Sequence, residues 1–264
     1  MSTYVFDQAW QQERDRLGAL ESLFDASTRR RLSDLGLGAG WRCLEVGCGA
    51  GGIARWLADQ VGPGGRVLAT DLDTRFVDGR DNLEVLTHDI VSDALEEGAF
   101  DLVHARAVLE HIPARDDVLP RLVAALKPGG WLVVEDVDFA APASALLAEH
   151  VVPAELAAVA HRLYQAVGTL FAMAGADPGY GRRLPAALAG SGLVDVAAEV
   201  HTPVVRGGTE HWTRGTIQQL ADRLIGAGLA DRADIDTYLD TTAQPSTLYA
   251  PPFLVSAWGR RRPG

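Results

Sequence analysis

A chain of 264 residues is long enough for one large α/β core with an elaboration, and ordinary shares of hydrophobic (47%) and charged (22%) residues exclude a disordered or fibrous protein. The formal net charge of -11 leaves only two short basic runs, Arg29-Arg30-Arg31 and Arg260-Arg261-Arg262, which argues against a nucleic-acid partner, whose phosphates need a positive face. There is no apolar run of about 18 residues and no signal-peptide pattern, and Cys43 and Cys48 fit neither a disulfide framework nor a zinc site, so the reading is a cytoplasmic protein with no membrane and no metal.

In chain order, Phe6, Trp10, Leu17, Leu20 and Phe24 share one helical face, and Asp25 is read as the cap of a second short helix ending at Gly36. From Trp41 the pattern changes to short apolar runs, each followed by a glycine-containing or acidic turn and then a helix. Runs at 42–46, 66–70, 83–86, 100–105 and 131–135, with helices at 52–60 and 116–126, predict βα units and a parallel sheet. A helix over 154–174 follows, with one apolar stripe through Leu156, Val159, Ala160, Leu163, Val167 and Leu170. A second stripe, Ala157, Tyr164 and Phe171, predicts that this helix is sandwiched between two surfaces. Strand pattern returns at 194–205, helices at 216–227 and 231–240, and a last strand at 253–258. The expected fold is therefore a doubly wound, Rossmann-like α/β sheet. Its expected parts are an N-terminal helical cap (1–38), a cofactor-binding core (39–140), a helical lid (141–190) and the C-terminal part of the core sheet (191–264) with a helical insertion at 208–245.

The strongest chemical signal is Glu45-Val46-Gly47-Cys48-Gly49-Ala50-Gly51-Gly52, an apolar strand ending in an acid and a glycine turn that opens a helix. Glycines let a backbone approach a ligand closely, and a helix N-terminus offers unpaired N–H groups to an anion. Taken alone this also fits a nicotinamide dinucleotide site. The neighbouring acids shift the balance. Glu45 suits the ammonium of an amino acid better than a pyrophosphate, and Asp71, at the end of the second strand, is placed for ribose hydroxyls. Asp89 is placed for an adenine amino group, with Leu72 and Ile90 against the ring. The alternative role for each acid is that of a turn former or helix cap.

With those motifs, together with Thr70-Asp71-Leu72-Asp73, His88-Asp89-Ile90, Phe100-Asp101-Leu102-Val103-His104-Ala105-Arg106 and Leu126-Lys127-Pro128-Gly129-Gly130-Trp131, the chain resembles the class I S-adenosylmethionine-dependent methyltransferases over about residues 41–135. The resemblance implies S-adenosylmethionine as cofactor and S-adenosylhomocysteine as product. It implies Gly47 and Gly49 along the methionine end, Asp71 on the ribose, Asp89 on the adenine, Ala105 and Arg106 beneath the sulfonium, and a seven-stranded sheet with an antiparallel last hairpin. The opening segment around Tyr4, Phe6 and Trp10 looks like the aromatic first helix of bacterial small-molecule methyltransferases, including natural-product tailoring enzymes, which implies a small organic methyl acceptor.

Within that frame Trp10 and Arg14 are candidates for the cofactor, Tyr4, Phe6 and Tyr164 for the acceptor, and His111 for both acceptor binding and proton removal, with a structural histidine as its alternative role. His104 is read as packing and Cys48 as a small apolar residue rather than a nucleophile. A homodimer is compatible with the sequence. The rival functions are an NAD(P)-dependent oxidoreductase and a protein that binds S-adenosylmethionine without methylating, as a cyclase or as a structural prop.

Overall fold

The computed structural model describes residues 12–139, 150–208 and 211–264. Its centre is a seven-stranded sheet in the order β3-β2-β1-β4-β5-β9-β6. The strands are β1 (Arg42–Val46), β2 (Arg66–Asp71), β3 (Leu83–Thr87), β4 (Phe100–Arg106), β5 (Leu126–Asp138), β6 (Val194–His201) and β9 (Phe253–Arg260), with β7 (Val205–Arg206) and β8 (Leu248–Tyr249) in a separate ribbon. The first five strands run parallel, and β9 is antiparallel to both β5 and β6. Parallel strands need both faces covered, which is why β1 and β4 are buried nearly throughout.

Strand order reverses between β1 and β4, and that is where an open α/β sheet leaves a crevice at its carboxyl ends. Register lines the crevice up: Val46 pairs with Thr70 on one side and with Ala105 on the other, so Gly47, Asp71 and Arg106 emerge side by side. Helices α2 (Gly52–Val61) and α3 (Arg115–Ala125) cover the parallel half, and α5 (Tyr180–Gly190) packs on β5 and β9. The other helices form a cap with its own apolar core: α1 (Glu13–Asp34), α4 (Glu155–Met173), α6 (Trp212–Gly226) and α7 (Arg232–Thr242). Among the described residues no helix is long and apolar enough to cross a membrane.

Several sequence expectations are corrected. The two N-terminal helices are one: α1 continues through Asp25, whose carboxylate bonds Arg29 one turn on and Arg106 from β4 instead of capping a backbone N–H. The strand expected over 194–205 breaks after His201, and its last residues join the β7–β8 ribbon; Pro203, which has no N–H to donate, lies in the break. Helix α5 carries no clear signal, because Gly179, Gly181 and Pro185 read as breakers. In place, Gly181 is what lets α5 approach, since a Cβ there would lie 2.6 Å from the Asp136 carbonyl oxygen. Helix α4 is sandwiched as predicted, with both stripes buried or half-buried.

Candidate active site

At the carboxyl ends of β1, β2 and β4 lies a cavity of about 700 Å3, roofed by α1 and closed at one end by α4 and α6. Its floor is the glycine loop. Gly47 and Gly49 have φ of +69° and +54°, a region L side chains rarely adopt, and a side chain on Gly47 would collide with Val108. The loop is tied to β2 by two backbone bonds from Gly47 and Cys48 to the Thr70 carbonyl, at 2.8 and 3.0 Å. Asp71 adds a third tie: its Oδ2 accepts from Gly49 N at 2.9 Å, while Oδ1 accepts from Asp73 N at 3.1 Å. Burial raises the Asp71 pKa, with the backbone bonds pulling against it.

Asp89, Leu72 and Ile90 line the far end of the same cavity. Asp89 also serves its alternative role, because its Oδ1 accepts from Val91 N at 2.9 Å and shapes the turn. Arg106 lines the cavity and is held from above by α1, donating to Asp25 Oδ1 at 2.7 Å and to Thr28 Oγ1 at 3.0 Å. Glu21 reaches down from α1 to accept from Gly52 N at 2.7 Å, occupying the N-terminus of α2.

Glu45 lines the cavity with its carboxylate held from behind. His104, fully buried on β4, bonds Glu45 Oε2 through Nδ1 at 2.6 Å and stands 3.4 Å from Glu135 Oε2 through Nε2. Thr28 of α1 donates to that same Glu135 oxygen. Burial disfavours the imidazolium, but the flanking carboxylates outweigh it and push His104 up to about 9. His104 is therefore charged at neutral pH, which corrects its reading as packing.

His111 sits on a short 3-10 turn, Leu109–His111, with its ring edge-on to Phe171 at 5.1 Å and Nε2 3.3 Å from Glu110 Oε1. Burial, then the positive charges of Arg16 and Arg115, push it down to about 3, so the imidazole is neutral at any ordinary pH. Glu110 moves the other way, up to about 8, through burial and the charge of Asp138, although Val137 N donates to it at 2.8 Å. Phe139 and Trp212, ring centres 5.9 Å apart, complete an aromatic wall with Phe171. Both cysteine thiols are buried and pushed up, which leaves Cys48 a packing residue and no nucleophile.

Glu45, Gly47, Gly49, Asp71, Leu72, Asp89, Ile90, Arg106 and His111 thus meet in one cavity. Three candidates do not join them. Ala105 is buried in the apolar core behind the sheet rather than facing the cavity. Arg14 is exposed on α1, and Arg16, half a turn on, lines the cavity instead, paired with Glu13 at 2.6 Å. Tyr164 points into the cap, where its hydroxyl lies 2.9 Å from that of Tyr238, which donates onward to Thr213. Of the stripe Ala157, Tyr164 and Phe171, Phe171 is the member that reaches the cavity. Tyr4, Phe6 and Trp10 lie outside the described residues. Sequence reasoning missed Arg16, Glu21, Glu110, Phe139 and Trp212, all of which line the cavity. Only Glu110, beside His111 at the end of the fourth strand, offered a positional hint.

A methyltransferase-domain family model matches residues 44–132. Methyltransferase str2 of Strobilurus tenacellus is 30% identical over 218 residues, an alignment covering 80% of this chain and 75% of that protein. Methyltransferase str3 of the same organism is 35% identical over 130 residues, covering 48% of this chain and 46% of that protein. The chain thus spans about half the length of str3. Among solved structures, phosphoethanolamine N-methyltransferase 2 of Haemonchus contortus in complex with S-adenosyl-L-methionine superposes with a TM-score of 0.60 at 18% identity, covering 100% of this chain and 60% of that one, a likeness of fold.

Proposed function

The chain belongs to the class I S-adenosylmethionine-dependent methyltransferases, and from that premise we propose that it transfers a methyl group to a neutral small organic acceptor held beneath its helical cap. The observation that carries this reading is the set of three carboxylates, Glu45, Asp71 and Asp89, opening with the glycine loop into one cavity. That acceptor set fits an amino-acid-bearing nucleoside, and it would repel the pyrophosphate of a nicotinamide dinucleotide. The glycine floor fits too, because a side chain at Gly47 would fill the space close to the backbone.

Asp71 would hold the ribose, Asp89 the adenine with Leu72 and Ile90 beside the ring, Gly47 and Gly49 the methionine chain, and Glu45 its ammonium. When bound, the cofactor supplies a methyl group activated by a sulfonium. The chain's own residues do the rest. Leu17 and Leu20 of α1, with Phe139, Phe171 and Trp212, wall the cavity with apolar surface and exclude water, which favours a reaction in which charge is dispersed. His111, which lines the cavity and is held neutral, is the group read as taking the acceptor's proton. The acceptor is read as neutral because, among the described residues, both guanidiniums that line the cavity are already paired, Arg16 with Glu13 and Arg106 with Asp25, which disfavours a phosphate or carboxylate there.

The test is to incubate the purified chain with S-adenosylmethionine and matched neutral and phosphorylated phenols and amines, and to measure S-adenosylhomocysteine formed. Acceptor-dependent product with the neutral set is expected. Binding without product would favour the non-methylating reading, and calorimetric binding of NADH in place of S-adenosylhomocysteine would favour the oxidoreductase. A second expectation concerns the cap. Tyr164→Ala should lower stability by about 3–5 kcal/mol, as for a large buried aromatic, while the KM for the acceptor stays within about twofold. A selective rise in that KM, with melting unchanged, would return Tyr164 to the substrate site.

A further inference from the structure

A deeply buried cluster of ionisable groups lies just behind the cavity, and the proposed function uses only its member Glu45. Glu45 and His104 are register partners on β1 and β4, and Glu135 follows on β5, all three under 4% exposed. Dehydrating three charges is costly, and apolar residues of similar size are often at least as stable in such a place. Two carboxyl groups flank the one imidazole ring, one on each ring nitrogen. Asp25, Thr28 and Arg106 continue the polar chain into α1. Only Glu45 of the three lines the cavity.

We infer that His104 is a positioning residue for the amino-acid end of the cofactor, keeping Glu45 ionised and turned so that its carboxylate receives the cofactor's ammonium. The inference rests on the proposed role of Glu45 as the ammonium's partner. Burial by itself drives a carboxylate to take up a proton, and it raises Glu45; the charge and hydrogen bond of His104 are the two largest influences pulling the other way. A protonated Glu45 would offer the ammonium no charge. The 2.6 Å bond from Nδ1 also holds Oε2, which limits the rotation of the carboxylate and leaves Oε1 as the oxygen available to a ligand. Glu135 is pushed down to about 2, against burial, by the same imidazolium together with Arg106 and Thr28, so His104 is held in its charged form from the opposite side.

The test compares two ligands that differ only at the end in question. S-adenosylhomocysteine carries the amino-acid chain, and 5′-methylthioadenosine lacks it. Their dissociation constants are measured by calorimetry at pH 7.5 for wild type, His104→Gln and Glu45→Gln. His104→Gln keeps a donor for Glu45 without the charge, and it should weaken S-adenosylhomocysteine by about tenfold or more while leaving 5′-methylthioadenosine within about twofold. Equal weakening of both ligands would mean a general packing effect, and no weakening of either would mean no role; each overturns the inference. Glu45→Gln should show the same selective loss. If it changes neither constant while His104→Gln does, the role given to Glu45 fails, and the inference with it. Should His104→Gln not fold, Glu135→Gln decides: without that carboxylate His104 holds its charge less firmly, so S-adenosylhomocysteine should weaken while 5′-methylthioadenosine does not, and equal weakening of both ligands or no weakening of either would overturn the inference.

Discussion

Asp71→Ala is expected to weaken S-adenosylhomocysteine binding by about a hundredfold or more. A ribose would give Asp71 two charge-assisted hydrogen bonds, each worth roughly 1.5–3 kcal/mol. The substitution also removes the 2.9 Å bond from Gly49 N, so the glycine floor loses one of its ties to β2. Calorimetry with a melting curve separates the two parts: Asp71→Asn keeps an acceptor oxygen for the loop and should fall between wild type and alanine. A folded alanine variant with an unchanged dissociation constant would remove Asp71 from the ribose role.

His111→Ala should lower turnover about a hundredfold with a hydroxyl acceptor, as expected when a positioned base is lost, while the dissociation constant for S-adenosylhomocysteine stays put. The pH profile follows from the direction of the imidazole's shift. A base works deprotonated, and a pKa pushed down to about 3 keeps it deprotonated across the whole neutral range. The wild-type rate should therefore be flat between about pH 5 and 7, without the rise near 6.5 of an ordinary histidine. An inflection near 8 would belong to Glu110, whose carboxyl loses its proton there. A loss of only a fewfold in the variant would rule out His111 as the base, and a rise centred on 6.5 that disappears in the variant would mean that its imidazole keeps an ordinary pKa.

The parallel half of the fold was legible because strand, glycine turn and helix recur there in sequence order, and because Asp71 and Asp89 stand where strands end. Register then brings Gly47, Asp71 and Arg106 together, as local pattern alone anticipated. The roof was much less legible. Which face of a helix meets the cavity depends on crossing angles that periodicity does not encode, so Arg14 and Arg16 read alike, and Tyr164 and Phe171 share a stripe although only Phe171 reaches the site. Asp25 misled for a related reason, since its carboxylate finds its partners through tertiary contacts. His104 lies in an apolar strand, and nothing local reveals that Glu45 and Glu135 will flank it from two other strands.

The unbroken course of α1 also bears on how the molecule exchanges its contents. A roof made of two helices would swing at the joint between them, but a rod of 22 residues has no joint at Asp25. Its first half covers the cavity through Arg16, Leu17, Leu20 and Glu21, and its second half is pinned by Thr28 to Glu135 and by Asp25 to Arg106. Uncovering the cavity then means unwinding the leading turns or lifting the whole rod, and either motion pulls Glu21 off Gly52 N. Product escape and exposure of that amide become one event. Hydrogen–deuterium exchange at Gly52 should accordingly slow when S-adenosylhomocysteine is bound, in step with exchange along residues 13–21, and independent behaviour of the two would mean that ligands leave by another route.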